Sequence, residues 1–288
     1  TICRAGIFTM CFALCEMVVL ISGGIDVSFP AIGCVAMYVP MYIINRVTPI
    51  DSALFAFGLA ILIGLLFGLL NGFLVSILRL PPLIATLATS SIASGGVVTL
   101  LGTREFTTLP DSLQAIYNAN IITYTAPETG FTYLLNVLFL VPVLACLGVA
   151  WMLRYTMLGR GLYAIGGNRK AAMLSGVKDR LYFFLAYANM GLMSAVAALV
   201  YAARLNAATP KAGVNFELDA IAACFVGGAS VTGGAGTIGG ALVGCFVIGI
   251  LNNGMSMMGI SADWQQTVKG LVILAAVAFD LVPKRKKK

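Results

Sequence analysis

The sequence contains no histidine, and only 10% of its 288 residues are charged. The commonest metal ligand and the commonest general base are therefore both missing. Ser/His and Cys/His nucleophile pairs and the HExxH zinc motif go with them. No P-loop signature (GxxxxGK followed by Ser or Thr) occurs, so the chain does not hold ATP in that way. Acidic residues number 11, and those in apolar stretches are Glu16, Asp26 and Asp280, in unrelated contexts. An intramembrane aspartyl enzyme needs two facing carboxylates, which this distribution does not offer. The seven cysteines (3, 11, 15, 34, 146, 224 and 245) fall in apolar stretches without a CxxC, and read as small hydrophobes. No cleavable signal peptide is visible. The inventory argues against catalysis and against a metal centre.

What is present is apolar surface: 60% of residues are hydrophobic and the mean hydropathy is +0.97. An ordinary soluble domain is about 25% charged. A water-soluble fold of this size could not hide so much apolar surface, whereas in lipid the backbone must be satisfied internally by helices or a closed barrel. Long continuous runs favour helices over the short alternating strands of a barrel. The chain therefore reads as a single all-α, polytopic membrane domain over residues 1–288. Spans are predicted at Ala5–Ser22, Ala31–Ile44, Leu54–Leu78, Leu83–Leu101, Leu134–Leu153, Leu181–Ala203, Phe216–Val231, Thr237–Gly254 and Trp264–Val282. The second and seventh are short and adjoin glycine clusters (Gly23-Gly24, Gly227-Gly228, Gly233-Gly234), which predicts broken or re-entrant helices beside a cavity.

Charge placement orients these spans. Of 18 Lys and Arg, six lie between Arg154 and Arg180 and five form the run Lys284–Lys288. Basic residues collect in short cytoplasmic loops, so both regions are expected inside, where the terminal run could also meet anionic lipid headgroups. Membrane, not nucleic acid, accounts for the net charge of +7. The Gly102–Gly130 loop, with one Arg against Glu105, Asp111 and Glu128, is expected outside. Nine spans then begin outside, and a further helix ahead of Thr1 would return the N-terminus to the cytoplasm.

Glycine recurs every fourth residue at Gly64, Gly68, Gly72 and at Gly236, Gly240, Gly244, predicting smooth helix faces on which neighbouring backbones pack closely. Charges at membrane depth cost about 2.5–3.5 kcal/mol on insertion scales and so invite explanation. Asp26, after the Gly23-Gly24 break, is expected to accept hydrogen bonds from exposed amides. Glu16 either faces a polar pathway or pairs with a neighbouring helix. Ser28, Asn71 and Thr86 join these two as candidate pathway residues. Lys269, one turn into the last span, is expected to snorkel outward.

The stretch from Thr156 to Val177 is the most informative. Gly166-Gly167 are expected to break it, and Asn168 to cap a short helix through Ala171 and Ala172 that stops at Gly176. Flanked by basic residues, such a helix reads either as a docking element on the cytoplasmic face or as a connecting loop.

Four blocks stand in order along nearly the whole chain: Gly23-Gly-Ile-Asp-Val-Ser28; Asn71-Gly72 with Pro82-Leu-Ile-Ala-Thr-Leu87; Gly159-Arg-Gly-Leu-Tyr-Ala-Ile-Gly-Gly-Asn168 to Ser175-Gly176; and Glu217-Leu-Asp-Ala-Ile-Ala-Ala223 with Gly227-Gly228, Gly233-Gly-Ala-Gly236 and Lys269-Gly270 to Asp280. In these the chain resembles the permease subunits of ribose-type ABC sugar importers. It departs from the family's pattern at Phe29-Pro30 and at Glu16. The resemblance implies about ten spans in a bacterial inner-membrane protein. It implies two permease copies, identical or not, and two cytoplasmic ATP-binding subunits that hold ATP and Mg, so that no cofactor resides in this chain. An external binding protein delivers the sugar. Residues 154–180 would be the coupling loop, with Gly159, Arg160, Ala164, Gly166, Asn168, Ala171, Ala172, Ser175 and Gly176 engaging the ATPase. The cargo would be a pentose, hexose or related sugar. A nucleoside or another small polar solute on the same architecture, and a cation-coupled secondary carrier using Glu16 or Asp26, are the alternatives.

Overall fold

The computed structural model describes residues 2–47, 50–107, 109–125, 132–213 and 215–285. Eleven α-helices are described: α1 (Ile2–Ile21), α2 (Phe29–Arg46), α3 (Ala53–Gly72), α4 (Pro82–Leu101), α5 (Asp111–Asn118), α6 (Leu140–Tyr155), α7 (Met157–Leu174), α8 (Asp179–Leu205), α9 (Phe216–Val226), α10 (Ile238–Met257) and α11 (Ala262–Arg285). The nine predicted spans correspond to all of these except α5 and α7. Five helical stretches are long and apolar enough to cross a membrane: Ala53–Ile77, Pro82–Leu101, Val137–Tyr155, Asp179–Leu205 and Ile238–Met257. Helix α9 has 11 residues, about 16 Å at 1.5 Å per residue, too short to cross alone.

Local chemistry sets the helix ends. Ser52, Thr156 and Thr237 accept hydrogen bonds from the amides of Phe55, Gly159 and Gly240 at 3.3, 3.3 and 3.0 Å, satisfying first-turn donors that have no intrahelical partner. Pro30 and Pro82 occupy first-turn positions, where a missing N–H costs nothing.

Burial follows composition. Helix α1 is apolar all round from Met10 to Ile21 except at Glu16 and is covered on every side there, as expected for a helix inside a bundle. Helix α3 buries only Ala56, Ala60, Gly64, Gly68, Asn71 and Gly72, an i, i+4 stripe, and leaves Leu54, Leu62, Leu66 and Leu70 exposed. A soluble helix would do the reverse; here the bilayer is the solvent for the leucines. The small-residue stripe lies on α8. A Cβ on Gly64 would overlap Gly191 O, and one on Gly68 would stand 2.6 Å from Tyr187 O. Gly72 meets Phe184. Helix α8 packs against α1, α2 and α3, and α9 against α1, α10 and α11.

The Gly102–Gly130 region is more structured than a loop. It holds α5, and β1 (Asn120–Thr125) pairs antiparallel with β2 (Thr132–Asn136). The span predicted from Leu134 therefore starts at Val137, because Thr-Tyr-Leu-Leu-Asn joins a partner rich in β-branched residues. Residues 126–131, which include Glu128 and Gly130, lie outside the described residues, as do 286–288 of the basic C-terminal run. The hairpin marks one end of the helices and α7 the other.

Candidate functional site: a broken helix beneath a polar cavity

Helix α1 ends at Ile21, Gly23 turns the chain at φ +86°, and α2 starts at Phe29. Apart from the exposed Gly23, the intervening residues are buried or half-buried, so their backbone polar groups need partners. Sequence-distant side chains supply them. Glu16 accepts from the Asp26 amide at 3.2 Å. Asp26 Oδ1 accepts from the Ser28 amide and hydroxyl, each at 2.6 Å. The Asn71 side-chain amide donates to Ser28 Oγ at 2.8 Å, and the Val27 amide donates to Thr86 Oγ1 at 3.4 Å. The five candidate pathway residues Glu16, Asp26, Ser28, Asn71 and Thr86 thus converge on one segment from α1, α3 and α4, and all five are fully buried. The Tyr187 hydroxyl closes the group beside Gly24. Neither Glu16 nor Asp26 forms an ion pair among the described residues.

None of the five lines the larger cavity beside them. A cavity of about 570 Å³ that carries several polar side chains lies between the start of α2, one face of α4, residues 210–213 and Glu217. Val27, part of this lining and here termed its floor, donates its amide to Thr86, so the broken segment borders both the cavity and the buried polar group. Its polar side chains are Ser90, Ser94, Thr99, Lys211 and Glu217, none of which was singled out as a pathway residue from the sequence. A signal was available: Ser90 and Ser94 stand one turn apart, on one helix face. Around the described Cys, Asp and Glu side chains, no cluster of three could hold a metal ion.

At the α7 end, three glycine-rich segments meet. A Cβ on Gly166 would overlap Ile21 O and Gly234 N, and one on Gly233 would lie 2.6 Å from Gly23 Cα and 3.1 Å from Gly166 Cα. The Gly234 amide donates to Ile21 O at 2.9 Å, and the Tyr163 hydroxyl to Gly236 O at 2.7 Å. Asp280 of α11 anchors the same loop by accepting from the Ser230 hydroxyl at 3.0 Å and the Val231 amide at 3.3 Å. Gly236 therefore belongs to this loop and not to a helical glycine strip; it lies against Met17, and α10 begins only at Ile238. Gly240 and Gly244 do face a neighbour, with Cβ positions that would overlap Gly227 O and Ala223 O.

The 156–177 stretch is helical on both sides of a kink. Helix α7 runs through Gly166 and Gly167, and the break falls at Asn168, whose φ of −156° and ψ of 98° are extended. Gly166 stays helical, its missing side chain making room for Ile21 O and Gly234 N, whereas a Cβ on Gly167 would meet open space. Asn168 Oδ1 accepts from the Ala171 amide at 3.1 Å and caps the second half. That half ends at Gly176, φ +86°, where the Gly176 and Val177 amides donate to Met173 O and Ala172 O. Arg160, Ala164, Ala171, Ser175 and Gly176 are exposed, as is Leu174 at 91%. Gly159 is buried against Leu153. Ala172 faces inward at 5% exposure, packed in the chain's own core, so it does not present itself for docking.

Lys269 does not snorkel. Its ammonium lies 2.7 Å from Asp219 Oδ1, and both side chains are largely covered. The first turn of α9 places Asp219 toward α11, and a buried carboxylate without that lysine would remain uncompensated.

Residues 1–277 match the family described as branched-chain amino acid transport system / permease component. The ribose import permease protein RbsC of Bacillus subtilis (strain 168) is 39% identical over 274 residues, covering 91% of this chain and 78% of that protein. The autoinducer 2 import system permease protein LsrC of Yersinia pseudotuberculosis serotype O:3 (strain YPIII) is 32% identical over 283 residues, covering 95% and 76%. The xylose transport system permease protein XylH of Escherichia coli (strain K12) is 47% identical over 143 residues, covering 50% and 36%. No solved structure matches the chain.

Proposed function

Because the chain belongs to the branched-chain amino acid transport system / permease component family, we propose that it forms the membrane pathway of an ABC importer for a pentose-like sugar. It is a multi-pass protein of the bacterial cytoplasmic membrane and a transport permease, not an enzyme. Relatives named for ribose import cover nearly the whole chain. In this reading the chain crosses the membrane nine times, α9 and the loop after it together making one crossing. The hairpin end faces outward and receives the solute from a binding protein. The α7 end faces the cytoplasm and two ATP-binding subunits, where ATP and Mg are held and hydrolysis occurs. A second permease copy completes the pathway.

The observation that carries this reading is the cavity whose floor, Val27, sits on a helix break. An importer needs a compartment closed on one side at a time, with a closure that a distant energy source can move. Here the second half of α7 would seat Ala171 and Leu174 in the ATPase. Its first half touches Ile21 and the 233–236 loop at backbone distance, so a displacement of α7 would reach Gly23 and the cavity floor. Nucleotide in the ATPases would thereby bias the pathway between two states.

Leu174→Glu provides the test. This residue is 91% exposed, so the change should leave the melting temperature of the permease unaltered. In proteoliposomes holding permease, ATP-binding subunit and binding protein, it should abolish ATP-driven uptake of D-ribose and pull-down of the ATP-binding subunit. Full binding and uptake in the variant would sink the coupling role of α7.

A further inference from the structure

The first turn of α9 carries two carboxylates with opposite fates. Asp219 is bound to Lys269 at 2.7 Å. Glu217 is half-buried, forms no ion pair among the described residues, accepts from the backbone amides of Asn215 and of its own residue, and lines the 570 Å³ cavity with acceptor sites to spare. The cavity falls in the range of about 300–1,000 Å³ that holds a small molecule. The cavity's α4 wall carries the hydroxyls of Ser90, Ser94 and Thr99. Ser91, off that wall, spends its hydroxyl on Leu87 O at 3.0 Å. Those of Ser90, Ser94 and Thr99 make no hydrogen bond to protein among the described residues. One side of the cavity therefore offers a carboxylate that only accepts, and the α4 side offers hydroxyls that donate and accept.

A solute suited to this lining brings several hydroxyl donors that are also acceptors, and no charge of its own. Two adjacent hydroxyls can donate to the two oxygens of one carboxylate, and charge-assisted hydrogen bonds of this kind are short and strong. A fixed cation in the solute would draw it to Glu217 and hold it there. A second anion would be repelled. Lys211 stands exposed at the cavity's edge, too well hydrated to dominate binding within.

We propose that Glu217 is a specificity-determining residue, its carboxylate accepting hydrogen bonds from adjacent hydroxyls of an uncharged pentose-sized polyol held against the hydroxyl face of α4. The inference rests on the import reading above and adds to it the residue that selects the cargo inside the membrane. A binding protein that captures the solute first fixes the half-saturating concentration. Glu217 therefore acts on the maximal rate.

The experiment compares ATP-driven uptake of radiolabelled D-ribose, D-xylose and L-leucine in proteoliposomes holding the complete importer. Wild type should accumulate a pentose and not leucine. Glu217→Gln should lower the maximal pentose rate about tenfold with an unchanged half-saturating concentration, the scale of one charged hydrogen bond. Ser94→Ala should lower it about threefold, the scale of a neutral one. An undiminished maximal rate in Glu217→Gln overturns the proposal. So does a loss that comes with a lower melting temperature, because the carboxylate would then serve the first turn of α9. Should Glu217→Gln not assemble, an undiminished rate in Ser94→Ala overturns it instead. Uptake of leucine in place of pentoses overturns the polyol assignment while leaving the import reading intact. Absence of ATP-driven uptake of all three probes in wild type overturns the import reading and this inference together.

Discussion

Two polar regions lie on opposite sides of Val27 and use their groups in opposite ways. Beneath it, Glu16, Asp26, Ser28, Asn71 and Thr86 are fully buried and bond to one another or to the broken backbone. Above it, Ser90, Ser94, Thr99 and Glu217 line open volume; the three hydroxyls bond no protein group among the described residues, and Glu217 accepts from the backbone amides of Asn215 and of its own residue. Intramembrane polar residues of the first kind hold a shape that helical hydrogen bonding cannot, whereas those of the second kind face open volume. Charge at membrane depth does not by itself distinguish them. The partner of each group does.

The comparison predicts that substitutions beneath the floor cost stability, whereas those above it cost transport. The largest stability effect is expected at the ion pair that shares the first character. Lys269→Leu leaves Asp219 buried without its cation and should destabilise the permease by about 3–5 kcal/mol, whereas Asp219→Leu combined with Lys269→Leu should recover most of this. Thermal melting of the purified protein in detergent measures both, and equal losses in the single and double variants would show that the pair is not the cause.

Next in size is Gly166→Ala. The added methyl would overlap two backbone atoms, Ile21 O and Gly234 N, which cannot rotate away. A loss of about 3 kcal/mol is expected, the upper end of usual overpacking. An unchanged melting curve would mean that the three glycine segments do not pack as described.

Asp26→Leu strips both acceptor contacts from Ser28 and should cost about 2 kcal/mol, the scale of a buried donor left unpaired. Asp26→Asn keeps an oxygen acceptor and should retain substantial transport. Equal transport loss in the two variants would instead give Asp26 an ionic role and dissolve the contrast with Glu217.

The smallest effect belongs above the floor. Ser90→Ala should change the melting free energy by less than about 0.5 kcal/mol, as for exposed substitutions elsewhere. It should still lower pentose uptake by a few-fold. If stability fell as far as in Asp26→Leu, the two regions would be one.

Much of this was legible in order along the chain. Apolar runs located the long helices, since a bilayer-length helix needs a continuous stretch whatever its neighbours are. Asn168, followed three residues later by Ala171 and then by Gly176, announced a capped helix, because capping is a local bond. The limits were equally physical. Gly166-Gly167 read as a break, but glycine serves both flexible turns and close backbone approach, and only the presence of Ile21 and Gly234 opposite Gly166 decides which. Lys269 read as a snorkelling side chain because its partner stands fifty residues earlier, at Asp219.

By itself the sequence determined that this is a predominantly α-helical membrane protein lacking histidine, where its long helices run, and that the chain breaks at Gly23 and at Gly227. Those properties follow from apolar length, missing residue types and short-range capping, all of which are set within a few turns of chain. Tertiary structure alone decided that Glu16, Asn71 and Thr86 serve the break at Gly23–Ser28, and that Ser94 and Glu217 face the cavity. Whether a polar side chain holds backbone or meets solute depends on what stands within about 3 Å of it, and in this bundle that neighbour comes from another helix.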